Sequence, residues 1–324
     1  MTRQRIPDSV LTAAHARSRA RADRDWPEAD RLKAEIEAAG WKVVDRGTDF
    51  ALSPATPPDI EAEGRILYGS SSSVPSRLDD APVGTASVVL VATDRPEELE
   101  ATLTGLRDHA PDGVQIVIAA DAPSPQQAAA LEAADALDAG GPGVRTDVVW
   151  TSERLGYAAA LNAAIRRAEA AVIVVLGPGV IVRGDVVTPL VAALDDPSVA
   201  AAGPWGLAGD DVARLDEAPP GDVDAVAGAC LAFRRADYAE RGPLDEAFRA
   251  APHLDVWWSL VLRDAGEGEE PRRAVALLGL PVERAAPPAG DPDLARAAKR
   301  NAYRLRDRFG RRPELLSGSR DRLP

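Results

Sequence analysis

The 324-residue chain has a single cysteine, Cys230, only three histidines and little lysine, and aromatic residues make up just 4% of it. A lone cysteine excludes an internal disulfide and fits a reducing compartment. No apolar run approaches the length needed to span a bilayer, and the opening residues lack the apolar stretch of a secretory signal, so the sequence reads as cytoplasmic. Positive charge is also short: 38 Lys and Arg stand against 51 Asp and Glu, a formal net charge of −13. Because phosphate-backbone contacts come mostly from Lys and Arg, broad binding to nucleic acid or anionic membrane is not expected. No histidine follows His253, which removes any C-terminal histidine as a metal ligand.

What is present suffices for a large core, since 45% of the residues are hydrophobic. Residues 1–54 read as a helical-hairpin module. Ser9 is placed to cap a first helix, Asp25 with Glu28 makes a capping-box pattern for a second, and Gly40 follows an apolar face of Ala29, Leu32, Ile36 and Ala39. Short strands are expected at 41–44 and 50–52. Residues 55–83, rich in Pro, Ser and Gly, read as a linker with a candidate edge element at 65–68.

Residues 84–280 alternate buried-strand runs (86–92, 114–120, 147–150, 172–176, 199–204) with helical patterns such as Leu99, Leu103 and Leu106 at i, i+4, i+7. That alternation predicts an α/β domain with a mostly parallel sheet flanked by helices. Residues 210–221 read as a surface loop. Residues 281–324 read as a loop and a basic helix with Ala298, Ala302, Leu305 and Phe309 on one face.

The stretch from Leu155 to Gly179 organises the rest. A glycine-led helix with Leu161, Ile165 and Ala168 at i, i+4, i+7 feeds an apolar strand that stops at Gly177-Pro178-Gly179, at the carboxyl edge where open α/β sheets hold ligands. The pattern Glu153-Arg154-Leu155-Gly156-Tyr157-Ala158…Asn162…Leu176-Gly177-Pro178-Gly179 resembles family 2 glycosyltransferases. Later segments resemble further motifs of that family in the same order: Val226 to Arg235, the turn Gly242-Pro243-Leu244-Asp245-Glu246-Ala247-Phe248, and His253 to Gly266. The resemblance covers about 87–266. It implies a GT-A fold, a nucleotide-sugar donor and an acceptor hydroxyl of unknown identity.

By the same resemblance, Asp94, Arg95, Asp121, Arg154, Gly156 and Asn162 fall on the nucleotide side, with Asp121 at the base edge. Asp255 falls at the catalytic base, with Asp245 and Glu246 as alternates. Mg²⁺ or Mn²⁺ is usual for the family, held by an Asp-x-Asp motif, but Gly177 and Gly179 stand where those carboxylates belong. Two blander readings stay open: Asp121 as a turn former and Asp255 as a helix cap. If no cation is held, arginines of the C-terminal helix, or Arg154 and Arg166, are the available replacements.

Residues 16–45 are similar to the C-terminal helical segment of cysteinyl-tRNA synthetases, although that family's catalytic motifs and zinc cysteines have no counterpart here. Three functions follow: glycosyl transfer from a nucleotide sugar, a catalytically degenerate nucleotide-binding or scaffold protein with residues 1–54 as its docking element for a protein partner, and a tRNA- or synthetase-associated factor.

Overall fold

The computed structural model describes residues 6–46, 49–137, 144–177, 179–266, 269–284 and 291–317. The chain divides into two compact units, Met1–Ile60 and Glu61–Pro324. No helix among the described residues is long and apolar enough to cross a membrane.

In the first unit, helices α1 (Asp8–Ala22) and α2 (Trp26–Ala38) precede an antiparallel pair, β1 (Trp41–Arg46) and β2 (Asp49–Pro54). Asp25 caps α2 by accepting from the Glu28 N–H at 3.2 Å, and Gly40 leaves the helix at φ +78, as a C′ glycine should. Ser9 does not cap α1. The helix begins at Asp8, two residues before a Ser9 cap would start it, with Pro7 at the N-cap and no side-chain cap. Val10, Ala13, Ala14, Leu32, Ile36 and Trp41 form the core, and the buried Arg17 places two nitrogens on the Asp45 carboxylate at 2.7 and 3.1 Å.

The second unit is built on a ten-stranded sheet. In chain order its elements are β3 (Ile60–Ala62), β4 (Arg65–Tyr68), β5 (Ala86–Val91), α3 (Pro96–His109), β6 (Val114–Ala120), α4 (Pro125–Leu137), β7 (Arg145–Thr151), α5 (Tyr157–Ile165) and β8 (Val172–Leu176). Then come β9 (Val180–Val182), α6 (Val187–Ala193), β10 (Val199–Gly203), β11 (Gly206–Asp211), β12 (Arg214–Ala218), β13 (Gly221–Val223), β14 (Ala225–Val226) and β15 (Cys230–Arg234). The chain closes with α7 (Arg235–Arg241), α8 (Leu254–Arg263), β16 (Arg273–Ala276), β17 (Val282–Arg284) and α9 (Pro292–Phe309).

Strand order is β13-β16-β10-β15-β8-β5-β6-β7-β4-β3. Pairing is parallel from β8 through β5, β6 and β7 to β4, while β15 runs antiparallel between β8 and β10. The chain therefore steps outward from β5 to β7 and returns to β8 on the other side of β5, which puts a topological switch point between β5 and β8.

Every residue of β5, β6 and β8 is buried, as expected for parallel strands covered on both faces. Alternate residues serve opposite layers. Val88, Leu90, Ile116, Ile118 and Val174 pack with Leu99, Leu103, Leu131 and Leu190 of α3, α4 and α6. Val89, Val117, Ile173 and Val175 pack with α5, with Trp257 and Trp258 of α8, and with Leu305 and Phe309 of α9.

Three expectations are corrected. Residues 61–83, expected as linker, belong to the large unit: β4 pairs with β7, Val74 is fully buried, and the buried Arg235 donates to the carbonyls of Arg77 and Asp80. Backbone pairing, which composition does not reveal, decides this. The surface loop expected at 210–221 begins inside a hairpin, β11 with β12, where Asp211 turns the chain by accepting from Ala213 N–H at 3.0 Å. On α9 the buried stripe is Ala297, Asn301, Leu305 and Phe309, so its first half is rotated by one residue from expectation.

Candidate functional site

The loops after β5, β6 and β7 meet on one carboxylate. Asp94 accepts from Ser124 N–H at 2.8 Å through one oxygen and from the Arg154 guanidinium at 3.0 Å through the other. The Ser124 N–H, with Arg154 adding to it, holds the Asp94 carboxyl below the usual carboxylate range. Arg95, beside it, is exposed and pairs with Glu98 at 2.9 Å.

Asp121, at the end of β6, is 9% exposed. One oxygen accepts from Leu155 N–H at 2.6 Å and from the Thr151 hydroxyl at 3.3 Å, and the other from Gly156 N–H at 3.0 Å. The residue expected at a base edge thus has both oxygens engaged by the entry turn of α5. Gly156 sits at φ +98, and a Cβ there would lie 3.2 Å from Arg249 Cα, so the close pass of the Arg249 backbone requires glycine. That pass also supplies acceptors: Tyr157 N–H donates to Arg249 O and Ala158 N–H to Phe248 O, both at 3.1 Å.

Asn162, expected at the nucleotide, is placed elsewhere. It is 1% exposed; its amide nitrogen donates to Leu244 O and Glu246, and its oxygen accepts from Tyr238 Oη and Leu244 N–H. It fixes the 244–246 turn from inside the fold. Two alternates for the base are fixed by the same turn: Glu246 bonds Ser71 and Asn162, and Asp245 accepts from Ala247 N–H and from Arg304.

Asp255 differs from both. It lies on the first turn of α8, where one oxygen accepts from Gly228 N–H at 2.9 Å and the other from Val256 N–H at 2.9 Å. A Cβ on Gly228 would stand 3.0 Å from Asp255 Cβ, so that glycine makes the approach possible. Burial pushes the Asp255 carboxyl up, with the two N–H donors opposing. His253, the left-handed N-cap of α8 at φ +68, is held below its usual value by burial. Tyr157 is pushed up to about 12 by burial, with the charge of Asp255 adding. Next along the chain from Gly228, Ala229 O accepts from Gly177 N–H at 2.8 Å. Asp255 is therefore linked through Gly228 and Ala229 to the turn that ends β8.

That turn is built for glycine. Val180 N–H closes on Gly177 O at 3.2 Å, Gly179 has φ +84, and Gly179 N–H donates to the Thr102 hydroxyl of α3 at 3.2 Å. Pro-Gly at the centre of a four-residue turn is the signature of type II geometry, which needs φ > 0 at the glycine; Pro178 itself lies outside the described residues. A β-carbon at Gly177 would make only ordinary contacts, 3.5 Å to Ala229 Cα. Neither glycine carries a ligand, and no group of three His, Cys, Asp or Glu suited to a metal occurs among the described residues. The residues present do not fit a carboxylate-held divalent cation.

Tyr157, Gly228, His253 and Arg249 were not singled out from sequence as site residues. Tyr157 follows directly on Gly156 and is legible in retrospect, whereas Arg249 reaches the site by pairing with residues 92 or more positions away.

The mostly parallel sheet, its antiparallel β15 insertion and the helices on both faces make the second unit a GT-A type domain. Within it, residues 87–222 match the sequence profile of Glycosyl transferase family 2. Among solved structures, the chain is similar to the mannosyltransferase PcManGT from Pyrobaculum calidifontis in complex with GDP-Man and Mn²⁺ (18% identity, 67% of this chain and 61% of that one, TM-score 0.50). It is also similar to GalNAc-T7 with UDP, GalNAc and Mn²⁺ (16% identity, 76% of this chain and 52% of that one, TM-score 0.52). The chain thus spans less than two thirds of either protein, and the likeness is one of fold. No curated protein sequence matches it.

Proposed function

We propose that the second unit transfers a sugar from a nucleotide-sugar donor to an acceptor hydroxyl at the carboxyl edge of β5, β6 and β8. The observation that carries this reading is Asp255: a half-buried carboxylate with a raised pKa, held by Gly228 N–H, linked through Ala229 to the end of β8 at the switch point. The acceptor oxygen attacks the anomeric carbon as its proton passes to Asp255. The bond to the diphosphate breaks and the nucleoside diphosphate leaves. A carboxyl raised by burial holds a proton better than a solvated one, which suits a general base. Asp94, Arg95, Arg154 and the Gly156 turn form the nucleotide side of the same edge. No step runs through a metal.

The test is release of nucleoside diphosphate from a panel of UDP- and GDP-sugars with mixed acceptors. At least one donor should turn over, and Asp255→Asn should slow it by about 10²-fold or more. Equal background for parent and variant with every donor contradicts the reading.

A second reading has its own support in Gly177 and Gly179: a degenerate relative that keeps nucleotide binding and acts as a scaffold. It predicts nucleoside diphosphate binding without turnover. In either reading the first unit serves as a docking element for a protein partner in the cytoplasm. Two of its arginines, Arg17 and Arg31, are held by Asp45 and Glu28 of the same unit, which speaks against tRNA as that partner.

A further inference from the structure

Transfer from a nucleotide sugar leaves a diphosphate whose growing charge has to be met in the site. Gly177 and Gly179 offer no carboxylate for a cation to do this, and a helix N-terminus is the usual alternative. At the entry turn of α5 those N–H groups are already taken. The N–H groups of Leu155 and Gly156 are on Asp121, that of Tyr157 is on Arg249 O, and that of Ala158 is on Phe248 O. What remains beside this turn is a pair of guanidinium groups.

Arg154 opens the turn. Its side chain is 63% exposed and touches Asp94, itself 43% exposed. An exposed pair of this kind binds weakly, so a stronger anion can take the guanidinium from Asp94. Arg249 flanks the turn from the other side. It is exposed, donates to Arg154 O at 3.2 Å, and has no carboxylate partner among the described residues. Four other arginines make their side-chain contacts away from this turn. Arg166 lies at the far end of α5 and donates to Val74 O, Arg304 pairs with Asp245, Arg306 with Asp211, and Arg308 lies over the Trp257 ring at 4.8 Å.

We infer that Arg154 and Arg249 together clamp the donor's diphosphate in place of a divalent cation, so that this chain binds its nucleotide without metal. The inference rests on the transferase reading and adds how its charge is met. Guanidinium forks match two phosphate oxygens at once, as a single ammonium does not.

The experiment is isothermal titration of the full chain with UDP and with GDP, each in EDTA and again in millimolar Mn²⁺, on the parent and on Arg154→Ala, Arg249→Ala and Arg154→Lys. At least one diphosphate should bind in EDTA with a Kd within about threefold of its value in Mn²⁺. Each alanine variant should weaken that binding by about 10-fold or more while leaving binding of the matching nucleoside, read by saturation-transfer NMR, unchanged. Arg154→Lys should lie between parent and alanine. An unchanged melting temperature in Arg154→Ala separates lost charge from lost fold. Binding that appears only with Mn²⁺, or that is indifferent to both arginines, overturns the inference and leaves the transferase reading standing. Absence of diphosphate binding in both conditions overturns the two together.

Discussion

Replacing Asp121 with Asn tests how the nucleotide side is held. The carboxylate accepts from Leu155 N–H at 2.6 Å and from Gly156 N–H at 3.0 Å in a nearly sealed position. Losing one hydrogen bond to a charged group costs about 1.5–3 kcal/mol, mostly because a buried donor is left unpaired. An Asn side chain keeps one acceptor and turns an NH₂ group toward the other N–H, so one charged bond is lost and two donors face each other. The expected loss is about 2–3 kcal/mol. For a domain of this size, 1 kcal/mol corresponds to about 2–4 °C, so the melting temperature should fall by roughly 4–12 °C. Differential scanning calorimetry at neutral pH reads this directly, and Asp121→Ala, which removes both acceptors, should fall further. An Asp121→Asn protein melting within about 1 °C of the parent refutes the claim that this carboxylate fixes the turn carrying Arg154.

Three further outcomes follow from the same geometry. Because burial raises the Asp255 carboxyl in the folded chain, its protonation favours folding. That contribution is complete below the unfolded value near pH 4 and is lost as pH rises through the higher folded value. Asp255→Asn removes this loss, so urea titrations at pH 4 and pH 8 should show the variant gaining on the parent as pH rises, even as transfer activity disappears. At the end of β8, Gly179→Ala should destabilise by about 1–2 kcal/mol because its φ of +84 disfavours a side chain, while Gly177→Ala should stay within about 0.5 kcal/mol; chemical denaturation of the pair checks the contrast. Asn162→Ala strands Leu244 N–H and O and the Tyr238 hydroxyl, and should lower stability by about 2–4 kcal/mol in the same assay.

The strands that carry the site were readable because parallel strands covered on both faces are unbroken apolar runs, and β5, β6 and β8 are such runs. Asp25 and Gly40 were readable because helix caps act over three or four residues. The hairpin at 206–218 was hidden by its charged, glycine-bearing sequence, which has the composition of a loop. Asn162 was misplaced for a different reason. Its partners lie 76 to 84 residues along the chain, and no local spacing separates an amide that binds a ligand from one that pins a distant turn. Asp255 lies between these cases: its place at the head of a helix was legible, but the N–H that holds it belongs to Gly228, 27 residues upstream.

The most direct measurement is a crystal structure of the full chain with whichever nucleoside diphosphate binds. The nucleotide should lie across the carboxyl edge of β5 and β6, with its diphosphate held by Arg154 and Arg249 beside the Gly156 turn and Asp255 on the acceptor side. A nucleotide seated away from that edge, or an edge filled by the chain's own side chains when the ligand is bound elsewhere, contradicts the account.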